Sequence, residues 1–323
     1  MNQRVQAQFM NAVTLHQQGR LVEAKALYEA ILKLQPKHAD TLHLLGVVEA
    51  QSGNFNKAIE LIEHAIKVSS NESTYYHDLG NAQLALKNYE SALKSYSTAI
   101  VLNPNYLEAY LNLAMVQQAT GLLEAALESF SHVIRLDSKH LQARYQSGMT
   151  AFYLGRHSVA LSFFEEVISL QPDYAEAHHQ RANAFVLLGR MKEAIDGYRR
   201  AILFNDTHAD AHNNLGCTLQ ETFCFEQAIF AHEAAIRVSP KLVSAYYNLA
   251  NALMKSGRLD EALNRYEDAI RIDPDYDFLL GAYLHLKMKI CSWFNFHTDV
   301  QLLINKANAE TTLCFCLTLL INN

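Results

Sequence analysis

An all-α solenoid of stacked antiparallel helix pairs is the fold that this sequence of 323 residues predicts, and three observations carry it. Its 5 prolines stand at 36, 104, 172, 240 and 274, so every interval is a multiple of 34. Proline cannot continue a helix, and regular spacing therefore marks a helical unit that stops at the same place each time. Placing proline at position 32 gives eight repeats of 34 residues: 5–38, 39–72, 73–106, 107–140, 141–174, 175–208, 209–242 and 243–276. Position 20 is then alanine in all of them (Ala24, Ala58, Ala92, Ala126, Ala160, Ala194, Ala228, Ala262). Position 8 is always small (Ala12, Gly46, Gly80, Ala114, Gly148, Ala182, Gly216, Ala250).

Within a repeat, helix A comes first and sets position 8 where a second helix must approach closely. Glycine at position 15 (Gly19, Gly53, Gly121, Gly155, Gly189, Gly257) supplies the turn, because it enters left-handed backbone without a Cβ penalty. Helix B follows, with alanine at 20 facing the small residue, and enlarging it should cost about 1–3 kcal/mol through overpacking. A mostly aromatic position 24 (Tyr28, Ile62, Tyr96, Phe130, Phe164, Tyr198, His232, Tyr266) fills the space beside them. One such pair cannot bury its apolar face, so neighbours must stack. Departures are few: Asn11, Ser147 and Arg181 replace leucine at position 7, and Phe223 stands where a turn glycine belongs.

This combination on a 34-residue period resembles the tetratricopeptide repeat across residues 5–276. The resemblance implies a superhelical solenoid whose A helices line a concave groove. Position 6 is expected to point into it, and from the third repeat onward it reads Asp78, Asn112, Gln146, Gln180, Asn214 and Asn248. Position 9 adds Asn81, Asn183 and Asn251. Amides both donate and accept, so this ladder is expected to grip the backbone of an extended peptide without reading its sequence. The plainer alternative is a row of solvated polar side chains. Position 5 (Phe9, His43, His77, Leu111, Tyr145, His179, Asn213, Tyr247) offers no lysine, which disfavours a clamp for chaperone C-terminal carboxylates.

Composition narrows the classes further. With 27 Lys+Arg against 33 Asp+Glu the formal charge is −6, which argues against binding nucleic acid by phosphate neutralisation. Five cysteines with no C-x-x-C pair make a disulfide framework or structural zinc unexpected. The N-terminus lacks a signal-peptide core, and no apolar stretch reaches the roughly 20 residues that span a bilayer, so a cytoplasmic location is expected. Among 15 histidines, His208 and His212 are spaced i, i+4. However, His178 and His212 occupy position 4, where Tyr110 and Tyr246 pack, and no acidic or cysteine partner stands at ligand spacing, so no metal is expected. Phosphate-loop, dinucleotide, zincin and nucleophile-elbow motifs are all missing.

After Pro274 the pattern breaks: a ninth repeat would need a small residue at 284 and alanine at 296, where Leu284 and Phe296 stand. Residues 277–323 therefore read as a helical capping or linker segment, cut short, ending in the apolar stretch 311–323. Its Cys291-Ser292-Trp293 element resembles the junction after the repeats in protein O-GlcNAc transferases, including their SPINDLY-like branch. That resemblance implies the substrate-recognition region of a glycosyltransferase whose catalytic lobes are absent here. A UDP-sugar donor would then serve only the intact enzyme; this chain is expected to carry no catalytic residue and no cofactor. The rival expectation is a free-standing scaffold or adaptor. Both make proteins or peptides the partners, with no nucleic acid and no membrane.

Overall fold

The computed structural model describes residues 3–309, and helices are the only regular elements among them. The apolar stretch at the C-terminal end, with Cys314 and Cys316, lies outside the described residues. Helices α1 (Gln3–Gln17) and α2 (Leu21–Leu34) form the first pair, α3 (Ala39–Gln51) and α4 (Phe55–Val68) the second. Pairs three to five are α5 (Ser73–Ala85) with α6 (Tyr89–Leu102), α7 (Leu107–Ala119) with α8 (Leu123–Leu136), and α9 (Leu141–Tyr153) with α10 (His157–Leu170). Then come α11 (Ala175–Leu187) with α12 (Met191–Phe204), α13 (Ala209–Glu221) with α14 (Phe225–Val238), and α15 (Val243–Lys255) with α16 (Leu259–Ile272). Two further helices, α17 (Leu279–Lys289) and α18 (Phe296–Ala309), close the described chain. No helix among the described residues is long and apolar enough to cross a membrane.

Each turn between the helices of a pair is made by one left-handed residue at position 15. Gly19, Gly53, Gly121, Gly155, Gly189 and Gly257 hold φ between 71° and 86°. Lys87 and Phe223 keep the same turn at φ 60° and 61°, so the fold imposes this backbone even where a Cβ opposes it.

The eight position-20 alanines have no exposed surface, and the side chains at position 24 are buried as well. Position 8 is small chiefly because of position 24, a sharper reason than helix-to-helix approach alone. A Cβ on Gly80 would lie 2.6 Å from Tyr96 Cε1, one on Gly46 2.6 Å from Ile62 Cγ1, and one on Gly216 2.5 Å from His232 Cε1.

The chain forms two compact halves, Met1–Phe163 and Phe164–Asn323, with the division inside α10. The N-terminal half repeats one core: Ala24 and Tyr28 pack with Ala12, Leu45 and Val48, and Ala126 and Phe130 with Ala114, Val133 and Ala143. The C-terminal half buries the matching set, with Ala194, Tyr198, Ala201, Ala228, Ala235, Ala262, Tyr266 and Ala269. Beyond α16 the core changes character. Leu284 of α17 is buried where a repeat would want a small residue, and Leu286 is buried as well. Lys287, only 3% exposed, donates to Asp299 Oδ2 of α18 at 2.8 Å and to the Phe294 carbonyl at 2.5 Å. Burial alone would lower its pKa, but the Asp299 carboxylate outweighs burial and raises it.

Candidate functional site

All nine ladder residues sit on A helices and are half-buried. They do not form one continuous row; the structure ties most of them into local networks. The rule is clearest at Asn112, whose Nδ2 donates to His77 Nε2 at 3.1 Å and to Asn81 Oδ1 at 3.0 Å. Asn214 repeats it, donating to His179 Nε2 at 3.1 Å and Asn183 Oδ1 at 3.3 Å. Asn248 donates to Asn213 Oδ1 at 3.2 Å and Cys217 Sγ at 3.3 Å. Position 6 of one repeat thus bonds back to positions 5 and 9 of the repeat before it.

Both amide hydrogens of these three asparagines are therefore engaged. Their Oδ1 atoms make no hydrogen bond among the described residues and are not buried, so each presents a carbonyl acceptor to solvent. This corrects the expectation that the ladder amides offer donor and acceptor alike. Gln180 is the converse: its Oε1 accepts from Asn183 Nδ2 at 2.9 Å, leaving its amide hydrogens available. Gln146 stands outside both networks.

Asp78 has no hydrogens to give, and its surroundings invert. It accepts from His43 Nε2 at 2.8 Å, His77 Nδ1 at 3.1 Å and Asn81 Nδ2 at 3.4 Å. Burial pushes this carboxyl upward, but the bonds from His43 and His77 outweigh burial and hold it at about 2.

Position 9 is oriented from behind by position 24. Tyr96 donates to Asn81 Oδ1 at 2.8 Å, Tyr198 to Asn183 Oδ1 at 2.6 Å, and Tyr266 to Asn251 Oδ1 at 2.6 Å. Repeats with Phe130 and Phe164 carry Met115 and Met149 at position 9, where no acceptor is needed. The first repeat breaks the pairing: Tyr28 faces a repeat with Val13, and its buried hydroxyl has no partner. In the seventh repeat His232 replaces the ring, donating from Nδ1 to Asn213 Oδ1 and accepting at Nε2 from Gln220, both at 2.9 Å. Burial drives its pKa down to about 4.

Sequence reasoning missed position 5, which it weighed only for its lack of lysine. His43, His179 and Asn213 are buried there as partners of the ladder. The signal was present, because polar residues at position 5 precede Asp78, Asn112, Asn214 and Asn248 by 35 residues. The reading of position 4 holds: His178 and His212 donate to the carbonyls of Pro172 and Asp206 at 2.9 and 3.0 Å, as Tyr246 does to Pro240 at 3.1 Å.

Profiles described as tetratricopeptide repeat match residues 15–81, 107–140, 145–216 and 243–276, and one described as TPR repeat matches 80–121. Together they span well over half of the chain. No curated protein matches it in sequence. Among solved structures, a tetratricopeptide-repeat protein from Parabacteroides merdae ATCC 43184 is 17% identical with a TM-score of 0.54, over 78% of this chain and 100% of that one. Cut9–Hcn1 of the APC/C is 18% identical with a TM-score of 0.52, over 85% and 54%. YrrB, a TPR protein with an unusual peptide-binding site, is 23% identical with a TM-score of 0.50, over 59% and 98%. At these identities the likeness is one of fold.

Proposed function

We propose, from the premise that this chain is a tetratricopeptide-repeat protein, that it is an interaction scaffold holding extended peptide segments by their backbone. The observation that supports this reading is the carbonyl presented by Asn112, Asn214 and Asn248, whose amide hydrogens are all engaged within the repeats. An acceptor fixed by two bonds from behind is preorganised for a peptide N–H. Gln180 supplies the complementary donor for a peptide carbonyl. The peptide-binding site of YrrB gives the reading a precedent in the same fold.

Two such bonds within the C-terminal half, from Asn214 and Asn248 at about 1 kcal/mol each, are worth roughly 30-fold in affinity. Peptides selected from a random display library on the intact chain provide the probe. Replacing Asn214 and Asn248 by alanine together should weaken their binding by about that factor while helical circular dichroism is retained, and Asn112→Ala tests the N-terminal half separately. N-methylation of the peptide backbone, with side chains unchanged, should act in the same direction. Unaltered affinity in both experiments removes the ladder from the account.

A second reading has one feature in its favour. The Cys291-Ser292-Trp293 element and the polar ladder together suit the substrate-recognition region of an O-GlcNAc-transferase-like enzyme that supplies its UDP-sugar site from another domain. Intact-mass analysis of the endogenous protein, captured with an antibody to the repeats, decides it. A product well above 36.5 kDa directs the next assay to glycosyl transfer, and one at 36.5 kDa leaves the free-standing scaffold.

A further inference from the structure

We infer that Glu176, His179 and His208 form a binding site for a single transition-metal dication of zinc type, with two imidazoles and one carboxylate as ligands. One potential ligand atom from each lies within 4.8 Å of the others. Glu176 and His179 stand one turn apart on α11, and His208 precedes α13. The two rings meet edge to face with centroids 4.5 Å apart.

The far side of each imidazole is already held. His179 Nε2 accepts from Asn214 at 3.1 Å, and His208 Nδ1 accepts the backbone N–H of Ala211 at 3.4 Å. What remains are His179 Nδ1, buried and without a partner, and His208 Nε2, which faces Glu176. His179 as a residue is 6% exposed. The His208 nitrogen pairs with Glu176 Oε2 at 3.1 Å, and the Glu176 side chain is 46% exposed, open to an ion from solvent. Among these three residues, His179 Nδ1 is buried with no partner, an expensive arrangement for a merely structural cluster. Together the three match the His₂Glu set that leaves zinc a fourth, open position.

The arrangement belongs to one repeat only. Rings at positions 5 and 34 meet in several repeats, as Phe9 with His38, His77 with Tyr106, and Tyr247 with Tyr276. Only in the sixth repeat do these positions both hold histidine while position 2 holds an acid. A ligand imidazole must be neutral. Metal at His179 Nδ1 places the ring proton on Nε2, so Asn214 must turn its Oδ1 inward to accept it and gives up its bond to Asn183; the metal-bound form therefore withdraws the Asn214 carbonyl proposed above for peptide. Asn214 so becomes the outer partner that orients a metal-bound histidine. Metal at His208 Nε2 gives up the Ala211 cap, the longest of three histidine caps, the others being 3.3 Å at His38 and 3.1 Å at His140.

The test uses cobalt(II) with the intact chain at pH 7.5, read by visible absorption and isothermal titration, with zinc in competition. One equivalent should bind with d–d bands and without the charge-transfer bands of cysteine thiolate ligation. His179→Asn and His208→Gln should abolish it. Glu176→Gln, at a half-exposed position that leaves the fold intact, should weaken it by more than about tenfold, the loss that removing even an outer partner brings. His212→Gln should bind as the parent does. Absence of cobalt uptake, thiolate bands, or equal uptake by Glu176→Gln and the parent overturns the site.

Discussion

Around Asn112 in the N-terminal half and around Asn214 in the C-terminal half, the same positions are bonded in the same way. Each asparagine donates to a histidine at position 5 and to an asparagine at position 9, and a tyrosine at position 24 braces the latter. What differs is the titratable group that stands at the Asn112 network and the one that stands beyond the Asn214 network. At the first it is an anion, Asp78, held by two histidine donors. Toward the C-terminus the next repeat buries a neutral histidine, His232, between Asn213 and Gln220. The repeat fixes geometry and leaves charge free to vary, so two similar networks should respond to acid in different ranges.

The largest expected effect follows from that contrast. The folded C-terminal half refuses a proton at His232 between pH about 4 and 6.5, whereas the unfolded chain accepts it. Stability from this group is complete above pH 6.5 and declines as pH falls to about 4, by about 3 kcal/mol. Asp78 works lower: the unfolded carboxyl titrates at 3.8 and the folded one at about 2, so its contribution, about 2 kcal/mol, is lost only across that interval. Hydrogen exchange resolved by peptide at pH 7 and pH 5 should show α13 to α15 losing protection while α5 to α7 keep theirs. His232→Phe should remove that share of the loss. Equal loss in both halves between pH 7 and 5 breaks the comparison.

A smaller effect separates the tyrosines at position 24. Tyr96 and Tyr198 each have an asparagine acceptor, and Tyr28 has none. Tyr28→Phe should therefore raise stability by about 1 kcal/mol, and Tyr96→Phe or Tyr198→Phe should lower it by a similar amount. Urea denaturation of the three variants checks the sign, since removing an unpaired buried hydroxyl and removing a paired one have opposite consequences.

The same residues explain what the sequence made legible. Ala24 through Ala262, the turn glycines and the prolines recur at a fixed period because each repeat solves one packing problem, and that recurrence identifies the helix pairs. The polarity of Asn112, Asn214 and Asn248 was equally visible. Their direction was not, because it depends on bonds reaching 31 and 35 residues back, into the preceding helix pair. The Glu176–His179–His208 cluster was hidden for a similar reason. Glu176 and His179 show helical spacing, but His208 joins them only when α13 stacks on α11. Attention to His208 and His212 followed the wrong neighbour: His212 turns to the Asp206 carbonyl.

The smallest effect concerns the turns. Lys87 in the N-terminal half and Phe223 in the C-terminal half hold the left-handed backbone that glycine holds in the other six repeats. A side chain there costs about 1–2 kcal/mol. Glycine relieves that strain but also loosens the unfolded chain, returning about 0.4–1 kcal/mol. Lys87→Gly and Phe223→Gly should each stabilise the protein by a net of about 0.5–1 kcal/mol, measured by thermal or urea unfolding. Phe223 is 80% exposed, with an edge-to-face contact to Phe225 at 6.1 Å as its ring interaction, so little packing opposes the gain. If Lys87→Gly stabilises and Phe223→Gly does not, that ring contact outweighs the backbone strain, and the two halves differ in their turns as well as in their charges.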